Sequence, residues 1–90
     1  MAILVTVKLP NQTAADAETW RERNKTLPQQ PGFIFQGDGP TEGGWQITSA
    51  WESRETFESF MSSQVRPNLK PGEEDQGDMQ VSELAGVTTR

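Results

Sequence analysis

Apolar and polar residues alternate from the start of the chain. Ile3, Val5, Val7 and Leu9 fall on one phase, and Leu4, Thr6 and Lys8 fall on the other. Period two with β-branched side chains predicts a strand, and Pro10-Asn11 ends it. Leu4 sits on the second phase, a first sign that both faces of the resulting sheet are covered. The period then changes. Thr13 has the character of an N-cap, with Asp16 three residues on as its capping-box partner. Ala14, Ala17, Trp20 and Leu27 form a sparse helical stripe, while Asp16, Glu18, Arg21, Glu22, Arg23 and Lys25 supply the solvated side. Acids early and bases late suit the helix dipole. Pro28 to Gly32 closes this segment.

Gly32 to Asp38 predicts a second strand through Phe33, Ile34 and Phe35. The turn-rich run Gly39-Pro40-Thr41-Glu42-Gly43-Gly44 connects it to a third, in which Trp45, Ile47, Ser49 and Trp51 alternate with Gln46, Thr48 and Ala50. These two strands are expected to pair antiparallel, with two tryptophans on one face. Ser53 caps the next helix, and Glu55 lies in its first turn. Phe57, Phe60, Met61, Gln64 and Val65 follow at i, i+3, i+4, i+7 and i+8, the clearest helical pattern in the chain. Pro67 stops it. Residues 68–80 include Pro71, Gly72, Glu73, Glu74, Asp75, Gly77 and Asp78, a composition expected of a mobile acidic loop. A weaker final strand is predicted from Met79 or Val81 to Val87.

The order is β-α-β-β-α-β, the split ferredoxin-like arrangement of the α+β class. Two helices cover one face of a four-stranded antiparallel sheet, and apolar residues on both phases of the first two strands predict a partner on the other. The expectation is a homodimer formed through the sheet faces.

Composition narrows what such a domain does. Ninety residues make one domain, 1–90, whose core is only marginally stabilising by itself. The chain has no cysteine and no histidine. Disulfides and thiolate chemistry are therefore excluded, and the usual base near neutral pH and the commonest metal ligand are missing. Eight basic and thirteen acidic residues leave a net charge of -5, which argues against nucleic acid or an anionic membrane as partner. Met1 to Leu9 has neither the basic start nor the cleavage site of a signal peptide, and nothing approaches transmembrane length, so a cytoplasmic location is expected. Glu73-Glu74-Asp75, with Asp78 nearby, lacks EF-hand spacing and reads as a solvated run. The glycines at 39, 43 and 44 are not followed by the Lys-Ser/Thr pair of a phosphate loop. No metal and no organic cofactor is expected.

Gly32-Phe33-Ile34, Gly43-Gly44-Trp45 and the run Ala50-Trp51-Glu52-Ser53-Arg54-Glu55-Thr56-Phe57-Glu58-Ser59-Phe60 resemble the antibiotic biosynthesis monooxygenase-like family of the dimeric α/β-barrel superfamily. The stretch from Trp51 to Phe60 resembles that family's strand-to-helix junction. The resemblance implies two ferredoxin-like protomers whose sheets form a shared barrel, with a pocket in each between sheet and helices. Some members oxidise phenolic or anthrone-like polyketide intermediates without metal or flavin, others open the haem ring, and a fold alone does not choose between them. The haem-degrading branch uses a tryptophan near the position of Phe60, a histidine near that of Lys70 and an asparagine near that of Leu4. None of the three is matched, so histidine-ligated haem degradation is not expected.

The cofactor-free branch calls for an aromatic pocket and groups that stabilise a phenolate. The residues proposed to bind a small aromatic substrate are Trp20 and Asn24 on the first helix, Trp45 and Trp51 on the third strand, Phe60 on the second helix, and Arg66 and Asn68 at its end. No catalytic residue is singled out. A base would have to be a carboxylate such as Glu22 or Glu58, raised in pKa by burial. Two other readings stand beside this one. The first is a non-catalytic dimeric binding or accessory protein that keeps the scaffold. The second is a lyase or isomerase built on a buried carboxylate.

Overall fold

In a computed structural model, which describes residues 1–68 and 78–88, β1 (Ile3–Pro10) lies inside the sheet because its two neighbours both pair with it antiparallel. These are β3 (Gly44–Trp51) and β4 (Asp78–Glu83). β2 (Phe33–Thr41) pairs with β3, giving the order β2-β3-β1-β4. Helix α1 (Ala14–Arg23) follows β1 and α2 (Arg54–Phe60) follows β3. This is the ferredoxin-like α+β arrangement.

The local signals work as their chemistry dictates. Thr13 and Asp16 form a reciprocal capping box at α1, and Ser53 with Thr56 forms another at α2. Ile3, Val5, Leu27, Trp51, Phe57 and Phe60 make the buried cluster, with Val7, Trp20, Phe33, Met61, Val65 and Val81 packed around it. All the strand members of that cluster lie on the phase of Val5 and Trp51, so this is the side that the helices cover. The opposite face carries Leu4, Thr6 and Lys8 of β1, with Thr48 and Ala50 of β3 and Phe35 of β2 in register beside them. There Phe35 is 46% exposed.

Four boundaries differ from expectation. The β2–β3 connection is a two-residue turn, Glu42-Gly43, because Pro40 and Thr41 continue β2 and pair with Trp45 and Gly44. Gly43 takes a φ of 78°, a conformation that suits glycine. A register shift between Phe33 and Phe35 kinks the start of β2. The helix begun at Arg54 does not stay α-helical to Pro67: it widens to a π-turn over Met61–Val65 and tightens to a 3₁₀ turn over Arg66–Asn68. Of the expected loop 68–80, Asn68 belongs to that turn and residues 78–80 already pair with β1. The remainder, with the acidic run Glu73-Glu74-Asp75, lies outside the described residues. β4 ends at Glu83, after which the Leu84 N–H donates to the Ala2 carbonyl at 2.8 Å. No helix among the described residues is long and apolar enough to cross a membrane.

Candidate functional site

On the helix-covered side, β3 presents Trp51, Ser49, Ile47 and Trp45 in sequence from one end of the sheet to the other. The two tryptophans meet different surroundings. α2 and the start of β2 enclose Trp51, whose ring lies 5.6 Å from Phe33, 5.8 Å from Phe57 and 5.2 Å from Phe60. Its indole N–H donates to the Ser49 hydroxyl at 3.1 Å. Trp51 and Phe60 are both buried, so together they form the centre of the core.

Trp45 stands at the other end and remains half-buried. Its indole N–H donates to Asp38 Oδ2 at 2.8 Å. The same oxygen accepts from Arg21 Nη2 at 2.7 Å. α1, β2 and β3 thus each contribute one side chain to a single polar knot. Asp38 is opposite Ile47 in the β2–β3 register, which turns its carboxylate toward the helices. Its side chain is 14% exposed, against 48% for Arg21. No buried side-chain nitrogen or oxygen among the described residues lacks a hydrogen-bond partner. A carboxylate that accepts from an indole and a guanidinium keeps both rigidly aimed.

α1 lies over this region with little bulk. Its one buried residue is Ala17, and Trp20 packs against the core from the same helix. Asn24 ends the helix: its side-chain amide donates to the Trp20 carbonyl at 3.0 Å, and its backbone N–H donates to the Trp20 and Arg21 carbonyls. The Asn24 amide is therefore a helix cap.

The remaining sequence candidates are dispersed. Arg66 is exposed and donates to the Ser62 hydroxyl at 3.1 Å, while Asn68 closes the 3₁₀ turn. Glu22 is exposed beside Lys25 at 3.5 Å, and Glu58 is exposed on α2. Neither is the buried carboxylate that the base role calls for. Phe60 also borders a surface cavity of about 440 Å³ with Gln30, Pro31, Thr56 and Ser59, which opens outward beside α2.

The structure therefore brings Trp20 and Trp45 to the helix-covered side with Arg21 and Asp38, two residues that sequence reasoning passed over. The sequence places Asp38 at the end of the second strand and assigns it no partner. Alternation counted from Phe33 puts Asp38 on the other phase; the register shift between Phe33 and Phe35 brings it to the covered side, opposite Ile47.

No protein-family model matches the chain, and no curated protein matches its sequence. Solved structures do match. SnoaB, a cofactor-independent oxygenase from Streptomyces nogalater solved as a point mutant, superposes with a TM-score of 0.62 at 11% identity, covering 99% of this chain and 97% of that one. A Bacillus cereus protein provisionally assigned as an antibiotic biosynthesis monooxygenase superposes with a TM-score of 0.58 at 17% identity, covering 100% and 97%. What the chain shares with these two structures is the fold, the ferredoxin-like arrangement over nearly its whole length.

Proposed function

We propose that this chain is a cofactor-independent, monooxygenase-like protein acting on a small aromatic or polyketide-like molecule held between sheet and helices. The observation that carries this reading is the Trp45–Asp38–Arg21 knot on the helix-covered side of a fold that aligns throughout with a cofactor-independent oxygenase. In such a reaction the substrate is the reductant. A ring CH₂ flanked by phenolic or carbonyl groups loses a proton, and the resulting carbanion passes electrons to dioxygen. One oxygen atom enters the ring as a carbonyl and the other leaves as water. The protein's part is to bind the ring, fix its orientation, exclude water and stabilise the anion. Trp20 and Trp45 supply flat apolar surface, and Arg21 supplies hydrogen-bond donors.

The supporting chemistry extends to the assembly. Leu4 and the exposed Phe35 on the uncovered face support a homodimer through the sheets. The net charge of -5 supports neither nucleic acid nor membrane as partner. A cytoplasmic location belongs to the same proposal. The test is oxygen uptake with a panel of hydroxylated anthrones and naphthols, with chelator present and no flavin added. Uptake that tracks carbonyl formation upholds the reading; none across the panel removes it.

The packing around Trp51 favours a second reading. Phe33, Phe57 and Phe60 pack around Trp51 between the sheet and α2, leaving little room there for a substrate. A non-catalytic binding or accessory protein needs no more room than that. It is distinguished by saturable binding of the same panel without oxygen uptake.

A further inference from the structure

The two helices are held to the sheet by different means. α2 buries Phe57 and Phe60, whereas the one buried residue of α1 is Ala17, a side chain with little apolar surface to remove from water. Trp20 packs at the margin of the core, and every other residue of Ala14–Arg23 is exposed. Both ends of the segment are nevertheless fixed. Before the helix, Asn11 has a φ of 64° and its N–H donates to the Gly43 carbonyl at 2.8 Å. Beyond it, Leu27 is buried in the core. Between these anchors Arg21 donates to Asp38 at 2.7 Å, and the same carboxylate oxygen receives the Trp45 indole N–H. Arg21 is half-exposed, so this tie holds by charge more than by burial.

An element with so little buried apolar surface opens more readily than the core beneath it. α1 has ten residues, too few to persist as a helix in water once detached. Release from the sheet and loss of the helix are therefore one event. We propose that α1 is a detachable cover over the Trp45 end of the sheet, anchored at Asn11 and Leu27 and latched by Arg21 on Asp38. Its release uncovers Trp45 and Asp38 while β1, β3 and α2 keep their packing. Salt screens a half-exposed ion pair, so ionic strength sets how often the cover opens. The inference rests on the reading above for what enters between sheet and helices, and adds how it gains entry.

Hydrogen exchange, followed amide by amide with no ligand present, tests the cover. In the wild-type protein the amides of residues 18–24 should be less protected than those of β1 and β3 by about tenfold or more. Arg21→Gln should speed the α1 amides by about three- to tenfold at low salt, and its difference from wild type should shrink as salt is raised. Lys25→Gln removes a cation that lies beside Glu22 at 3.5 Å, within the same segment. It should leave the α1 amides within about twofold of wild type. Ser49→Ala takes away the acceptor of the Trp51 indole N–H. It should speed the amides of β1 and β3 and leave α1 as it was, because α1 opens without them.

α1 amides that are protected as strongly as β1 and β3, or that do not respond to Arg21→Gln, overturn the proposal. So does a Lys25→Gln effect as large as that of Arg21→Gln, or a Ser49→Ala effect on α1 as large as that on the sheet. Oxygen uptake is a separate result. Independent release of α1 without uptake keeps the cover and removes the oxygenase reading. Uptake without independent release keeps the oxygenase and removes the cover.

Discussion

Ser49 is the polar residue buried among the aromatic rings, and its hydroxyl is the acceptor for the Trp51 indole N–H. Ser49→Ala leaves that donor unpaired among the aromatic rings. The expected cost is about 1–3 kcal/mol, read as a lower urea midpoint with an unchanged m-value. The sequence shows that Trp45 and Trp51 share a face, since phase alone fixes that. It does not show their different fates, because these depend on which end of the strand α2 covers. Asn24 is a similar case. Its spacing from Trp20 places both on one face, yet the amide turns back to cap the helix. Side-chain direction at a helix end is decided by unpaired carbonyls nearby, not by periodicity. Asp38 was hidden for a different reason: the sequence ends a strand on it, but the register shift between Phe33 and Phe35, which alternation does not encode, decides the face it occupies.

Elements were legible where one short-range rule decided them. Both capping boxes form on residues whose chemistry marks a helix start, and β1 and β3 follow their alternation. The strand-to-helix junction adds a constraint of its own. Gly32 has a φ of 80°, its carbonyl accepts from the Glu52 N–H at 2.7 Å, and a Cβ there would collide with the Thr56 side chain. Gly32→Ala therefore combines left-handed strain with a clash against a cap, and a loss of about 2–4 kcal/mol is expected in chemical denaturation. Thr13→Ala tests the weaker of the two helices: loss of its cap should cost about 0.5–2 kcal/mol and reduce helical ellipticity. The elements that escaped sequence reading are those set by long-range pairing. The short hairpin and the early start of β4 depend on partners across the sheet. The π-turn at Met61–Val65 falls where Met61 and Val65 reach the core, and a plain 3.6-residue period does not encode such a widening.

At the scale of the whole molecule, the uncovered sheet face is what the ferredoxin-like arrangement leaves unresolved in a single chain. Leu4, Ala50 and Phe35 lie in register across it near the end where β1 begins, and Phe35 is 46% exposed. A second copy placed there would cover Leu4 and Phe35 with the same face of its own sheet, as a two-fold interface requires. Light scattering should then give a mass of about 20 kDa from chains of 10.0 kDa. Phe35→Lys separates the alternatives more sharply than the mass alone. In a monomer it replaces a half-exposed ring by a solvated cation, a change within about 0.5 kcal/mol. In the dimer it buries an unpaired cation on each side of the interface, whose face already carries Lys8. The variant should therefore run as a monomer and melt earlier than the wild-type protein, with the wild-type melting temperature rising with concentration and that of the variant constant. A wild-type protein that scatters as a monomer, or a variant that melts with it, removes the sheet-to-sheet interface and leaves Phe35 as an isolated exposed ring.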